Sequence, residues 1–75
     1  MNEKFIGLVG LGYWGQNILR NLYELGTLHT ACDADKRTIE ERRSKFPEIN
    51  YTTSFEDILE NEDVKAVAVA AISSR

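Results

Sequence analysis

With 75 residues and a net charge of −3, the chain has room for one small domain, and its nine basic residues are interleaved with twelve acids, which argues against a nucleic-acid-binding face. A single cysteine, Cys32, and a single histidine, His29, exclude an internal disulfide and a multi-ligand zinc site. The apolar runs at residues 5–9 and 66–72 are too short to span a bilayer, and the opening "MNEKFIG" lacks a signal-peptide pattern, so a cytoplasmic protein is expected.

Residues 5–9 are apolar throughout, with Gly7 inside, which suits a short strand buried on both faces. Gly10, Gly12 and Gly15 follow at the spacing G-x-G-x-x-G. Trp14, Ile18, Leu22 and Leu25 then recur at intervals of 4, 4 and 3, one stripe of an α-helix, and Gly26 stands where a left-handed C-cap belongs. Leu28–Cys32 is a second short, mostly apolar run that ends at Asp33. Asp35 offers an N-cap for a polar helix through about Lys45, whose thin apolar side is Ile39, the stem of Arg42 and Phe46; Pro47 stops it.

Ile49, Tyr51 and Thr53 alternate with polar residues over a third strand. Ser54, with Asp57 three residues later, forms the pattern of a capping box for a helix of one or two turns carrying Phe55, Ile58 and Leu59. Residues 64–72, interrupted only by Lys65, predict a fourth strand apolar enough for a sheet interior. Strands alternating with helices imply an α/β fold with a parallel sheet. With a glycine loop after the first strand, the expected spatial order is 3-2-1-4, a partial doubly wound sheet of the Rossmann type with helices on both faces. Residues 1–75 are then one domain that stops where its second half should begin.

A lone G-x-G-x-x-G is weak evidence of a ligand, but this one directly follows an apolar strand and opens an amphipathic helix. An acid, Asp33, ends the next strand, 23 residues after Gly10 and 18 after Gly15. Gly10 permits the tight turn, Gly12 lets a pyrophosphate approach the backbone, and Gly15 lets the helix pack close to the strand. The N–H groups of Tyr13 and Trp14 then point from the positive end of the helix toward phosphate. Asp33 would accept hydrogen bonds from the adenosine ribose hydroxyls and repel a 2′-phosphate, favouring NAD over NADP; Lys36 and Arg37 stand close enough to moderate that preference. The alternative is that the glycines serve only the turn and that Asp33 caps or is solvated.

Other residues have plainer readings. Tyr13 and Trp14 either shape a cofactor pocket or simply pack. Cys32 is expected in the core, and His29 on a strand near the surface. The run "DADKRTIEERRSK" is a solvated helix face, and "SFEDILENED" has no calcium-loop spacing.

Gly10-Leu11-Gly12-Tyr13-Trp14-Gly15-Gln16-Asn17, Cys32-Asp33-Ala34-Asp35, the segment "YTTSFEDIL" and the strand "DVKAVAVA" together resemble the N-terminus of the Gfo/Idh/MocA oxidoreductases, the glucose–fructose oxidoreductase and inositol dehydrogenase family. The likeness covers essentially the whole chain. It implies an NAD(P)-dependent enzyme acting on a hydroxyl of a sugar, cyclitol or nucleotide sugar, and the Tyr13–Trp14 pair is similar to branches acting on nucleotide sugars. It also implies that Ala70, Ala71, Ile72 and Ser73 lie near the nicotinamide half of the cofactor. Family members usually carry a proline just after the fourth strand, where Ile72 stands here. The family's Glu-Lys-Pro segment and catalytic acid–base residues have no counterpart in residues 1–75, so no catalytic residue is assigned.

Two further readings compete with the cofactor-binding part of a dehydrogenase. One is a non-catalytic dinucleotide sensor or regulatory subunit; the other is a Rossmann-like scaffold with an empty loop. The fourth strand adds an expectation about partners: with nothing beside it, the isolated chain should self-associate or require a further C-terminal region.

Overall fold

In the computed structural model, which describes residues 4–70, four strands and three helices alternate along the chain. They are β1 (Ile6–Val9), α1 (Tyr13–Leu25), β2 (Leu28–Cys32), α2 (Lys36–Lys45), β3 (Asn50–Thr52), α3 (Phe55–Leu59) and β4 (Ala66–Val69). All strand pairs are parallel, and the sheet order is β3-β2-β1-β4, the order the sequence predicts.

Alternation of side chains along β1 divides the core into two. Leu8, fully buried, joins Leu11, Leu19, Leu28, Ala31, Ile39 and Ile49 in one cluster beneath α1 and α2. Its neighbour Gly7 faces the other way, where a methyl group would meet the side chain of Ile58 at 2.8 Å and of Val64 at 3.2 Å. The short α3 therefore covers the opposite face, through Ile58 alone; Phe55 and Leu59 are exposed. Between Ile6 and Gly7 the register with β2 slips by one residue, so that His29 is the extra residue of a bulge.

Several elements differ in detail from their predicted form. The buried stripe of α1 runs through Gly15 and Leu19, flanked by Ile18, Leu22 and Tyr23. Trp14 and Leu25, at its two ends, are 61% and 71% exposed. Gly26 does close α1 in the left-handed conformation (φ 76°), donating its N–H to the last-turn carbonyls of Leu22 and Tyr23.

The predicted capping box at Ser54 does not form. Thr52 takes its place: its hydroxyl donates to Asp57 Oδ2 at 2.6 Å and accepts the Ser54 N–H at 3.0 Å, so Asp57 is drawn to the strand end. Thr53 lies beyond β3 and is exposed. Within the described residues β4 runs from Ala66 to Val69, inside the predicted 64–72, of which residues 71 and 72 lie outside them; it is the edge strand that the predicted order implies, with Val67 and Val69 40% and 61% exposed. No helix among the described residues is long and apolar enough to cross a membrane.

Candidate functional site

The glycine loop leaves the carboxyl end of β1 between two neighbouring strands. The Gly10 N–H donates to the carbonyl of Cys32 at the end of β2, and the Ala70 N–H, at the end of β4, donates to Val9 O, both at 2.8 Å. Gly10 has φ +99°, a conformation other residues resist, and a side chain there would press on the Ala70 carbonyl at 2.7 Å. A methyl on Gly15 would overlap the Gly10 carbonyl oxygen, so α1 rests directly on the loop. Gly12 is different. Its φ is −73° and its ψ −148°, so it does not use the left-handed region.

Leu11 anchors the loop from both backbone groups and from its side chain, which is fully buried. Its N–H donates to Asp33 Oδ2 at 2.8 Å, and its carbonyl accepts Arg42 Nε–H at 3.0 Å. The second Asp33 oxygen accepts the Asp35 N–H at 2.8 Å. Asp35 in turn caps α2, accepting the Arg37 N–H at 2.9 Å and the Thr38 hydroxyl at 3.2 Å. The end of β2 thus fixes the glycine loop with one oxygen of Asp33 and the entry to α2 with the other.

Gly12 is the N-cap of α1, no side chain caps that end, and the first turn carries no acid. The N–H groups of Tyr13, Trp14 and Gly15 belong to the turn that has no intrahelical acceptors, and they open beside the loop. Tyr13 and Trp14 themselves pack neither into the core nor around an enclosed pocket. They are 72% and 61% exposed and stack edge to face on each other, ring centroids 5.6 Å apart.

The structure brings Gly10, Gly12, Gly15, Asp33 and Ala70 together at the carboxyl ends of the strands, where open parallel sheets take ligands. Arg37 lies in the first turn of α2 with its side chain exposed and in no ion pair among the described residues. Ala71, Ile72 and Ser73 lie outside the described residues. Cys32 is buried behind the loop, and its thiol is held above the ordinary 9.0 chiefly by burial, then by the charges of Asp33 and Asp57. His29 sits at the amino end of β2, its Nδ1 2.7 Å from the Thr30 hydroxyl and its Nε2 3.9 Å from Asp63, remote from the loop. A cavity of about 390 Å³ lies at that same amino end, lined by Lys4, Tyr23, Leu28, Glu48 and Ile49, away from the glycines.

Arg42 is the participant that the sequence reading assigned only a packing stem. Its signal was present: spaced three residues from Ile39 on the inner side of α2, a buried guanidinium must find a partner. Compared with known proteins, the chain matches no family model, and no curated protein matches it significantly.

Proposed function

We propose that the chain binds a dinucleotide, NAD in preference to NADP, at the glycine loop, as the cofactor-binding part of a cytoplasmic oxidoreductase acting on a sugar, cyclitol or nucleotide sugar. The observation that carries this reading is the pairing of Asp33 with the Leu11 N–H. It sets a carboxylate beside an uncapped helix N-terminus, the two groups that ribose and pyrophosphate need side by side.

The residues fit such a ligand. Internal packing accounts for Gly10 and Gly15; Gly12 has no positive φ, and its bare backbone suits close approach of a pyrophosphate. Each oxygen of Asp33 takes one protein hydrogen bond and keeps a lone pair for a ribose hydroxyl. The Tyr13 and Trp14 N–H groups would hold the phosphates, and the exposed Lys36 and Arg37 would temper rejection of a 2′-phosphate. Ala70 and the following Ala71, Ile72 and Ser73 would border the nicotinamide half, which when bound supplies the hydride acceptor. The free thiol of Cys32 suits a reducing compartment.

The alternative that the same fold and loop leave open is a non-catalytic dinucleotide-binding regulator. Titration with NAD, NADP and ADP tests binding. Assay of the full reading frame for reduction of NAD by sugars and cyclitols separates enzyme from regulator.

A further inference from the structure

The groove between α1 and α2 holds a second cluster of donors that the glycine loop does not use. Gln16, Asn17 and Arg20 of α1 face Arg42, Lys45 and Phe46, around a cavity of about 190 Å³. Three cations and two carboxamides line it, with no carboxylate among the lining residues, in a chain whose net charge is −3. Arg20 and Lys45 form no ion pair among the described residues.

Arg42 is the informative member. It is 9% exposed, yet among the described residues only its Nε–H has a hydrogen-bond partner, Leu11 O. The nearest carboxylate oxygen, from Glu41, stands 3.6 Å from one terminal nitrogen, beyond hydrogen-bond length. No buried side-chain nitrogen or oxygen among the described residues is sealed off without a partner, so the remaining guanidinium nitrogens keep some solvent access, and Arg42 lines the cleft. A guanidinium so nearly buried is stabilised by an oxyanion that takes two of its N–H groups at once. The cavity is smaller than the roughly 300–1,000 Å³ of sites for drug-sized ligands, which limits the occupant to a small molecule.

We propose that this cleft binds a small polyanion carrying phosphate or carboxylate groups, held by Arg20, Arg42 and Lys45 with the Gln16 and Asn17 amides completing the contacts. The site is distinct from the glycine loop and joined to it by Arg42, which holds the Leu11 carbonyl.

The test is a ¹⁵N-resolved NMR titration of the chain with inorganic pyrophosphate and, separately, with citrate, at constant ionic strength. The expected result is saturable shifts of the amides of Gln16, Asn17, Arg20, Lys45 and Phe46 with at least one probe. Tighter pyrophosphate assigns a phosphate ester; tighter citrate assigns a polycarboxylate. Arg20→Glu with Lys45→Glu, both at exposed positions, should weaken the tighter probe by at least about tenfold, as expected for losing two charge-assisted contacts. NAD titration of that variant should be unchanged, so a failure of this site is distinguishable from a failure at the loop. Arg20→Gln alone, the milder variant, should weaken the probe several-fold. Non-saturable shifts, shifts confined to residues 12–15, or an affinity that survives both variants would overturn the proposal.

Discussion

Asp33 accepts the backbone N–H of Leu11 at 2.8 Å, joining the end of β2 to the glycine loop across 22 residues of sequence. The same peptide neighbourhood is held from the other side by Arg42 on the Leu11 carbonyl. The acid is therefore a strut of the loop before any ligand arrives, and its two duties separate by substitution. Asp33→Ala leaves the Leu11 N–H without its partner and should cost about 1–3 kcal/mol of stability in urea denaturation. Asp33→Asn keeps an acceptor oxygen and should cost less than about 1 kcal/mol. Both should weaken NAD more than NADP, by about 1.5–3 kcal/mol for NAD. An equal loss of both cofactors in the Asn variant would make the residue purely structural.

The three glycines should fail in different ways. Gly15→Ala drives a methyl into the Gly10 carbonyl, and Gly10→Ala combines a positive φ with a 2.7 Å approach to Ala70 O. Each should destabilise the fold by about 1–3 kcal/mol or more. Gly12→Ala should lose dinucleotide affinity at a smaller cost in stability than either of these. Thermal melts beside NAD titrations give the comparison; a Gly12 variant that binds NAD normally would place the ligand elsewhere.

Arg42 should tolerate no simple replacement. Arg42→Lys keeps the charge but cannot present Nε–H to Leu11 O along the same stem, and should cost about 1–2 kcal/mol; Arg42→Ala, which also loses packing, should cost more. Denaturation midpoints check the order. A lysine variant as stable as the parent would show that charge, not the fork, holds Leu11.

Much of this was legible in the chain itself. Four strands, the polar helix from Asp35 and the left-handed Gly26 follow from spacing and turn chemistry, which are local. What was not legible depends on which neighbour arrives. Thr52 outcompetes Ser54 for Asp57 because β3 ends beside α3, a tertiary fact. Trp14 and Leu25 satisfy the helical period yet stay exposed at the two ends of α1. The bond from Asp33 to Leu11 was equally hidden, since sequence spacing shows an acid near a loop but not the atom it touches.

Stability should decline on the alkaline side. Burial raises Cys32 above 9.0, a hydrogen bond and the charge of Glu48 raise Tyr23 above 10.0, and burial raises Tyr51 against the opposing pull of Arg43 and Arg42. A folded value above the unfolded one means a contribution complete below the unfolded value and lost as pH climbs through the folded one. The denaturation midpoint should thus hold to about pH 8.5 and fall beyond it. Cys32→Ala should flatten the first part of that decline; an unchanged pH profile would remove the thiol from the account.

The outer edge of β4 predicts association. Val67 and Val69 stand exposed on β4, whose outer edge pairs with no other strand among the described residues and so can template a second strand. The chain should self-associate as concentration rises in sedimentation velocity, and Val67→Lys with Val69→Lys should suppress it. A concentration-independent monomer at tens of micromolar would show the edge to be inert.

The claim on which the rest depends is that this loop holds a dinucleotide, and NMR titration of the chain with NAD tests it most directly. Shifts should saturate at about millimolar ligand, an affinity near −4 kcal/mol, and fall on residues 10–15 and 33–37, with ADP reproducing most of them. A folded chain whose Gly12, Tyr13 and Trp14 amides stay unmoved by NAD and ADP at those concentrations would contradict it.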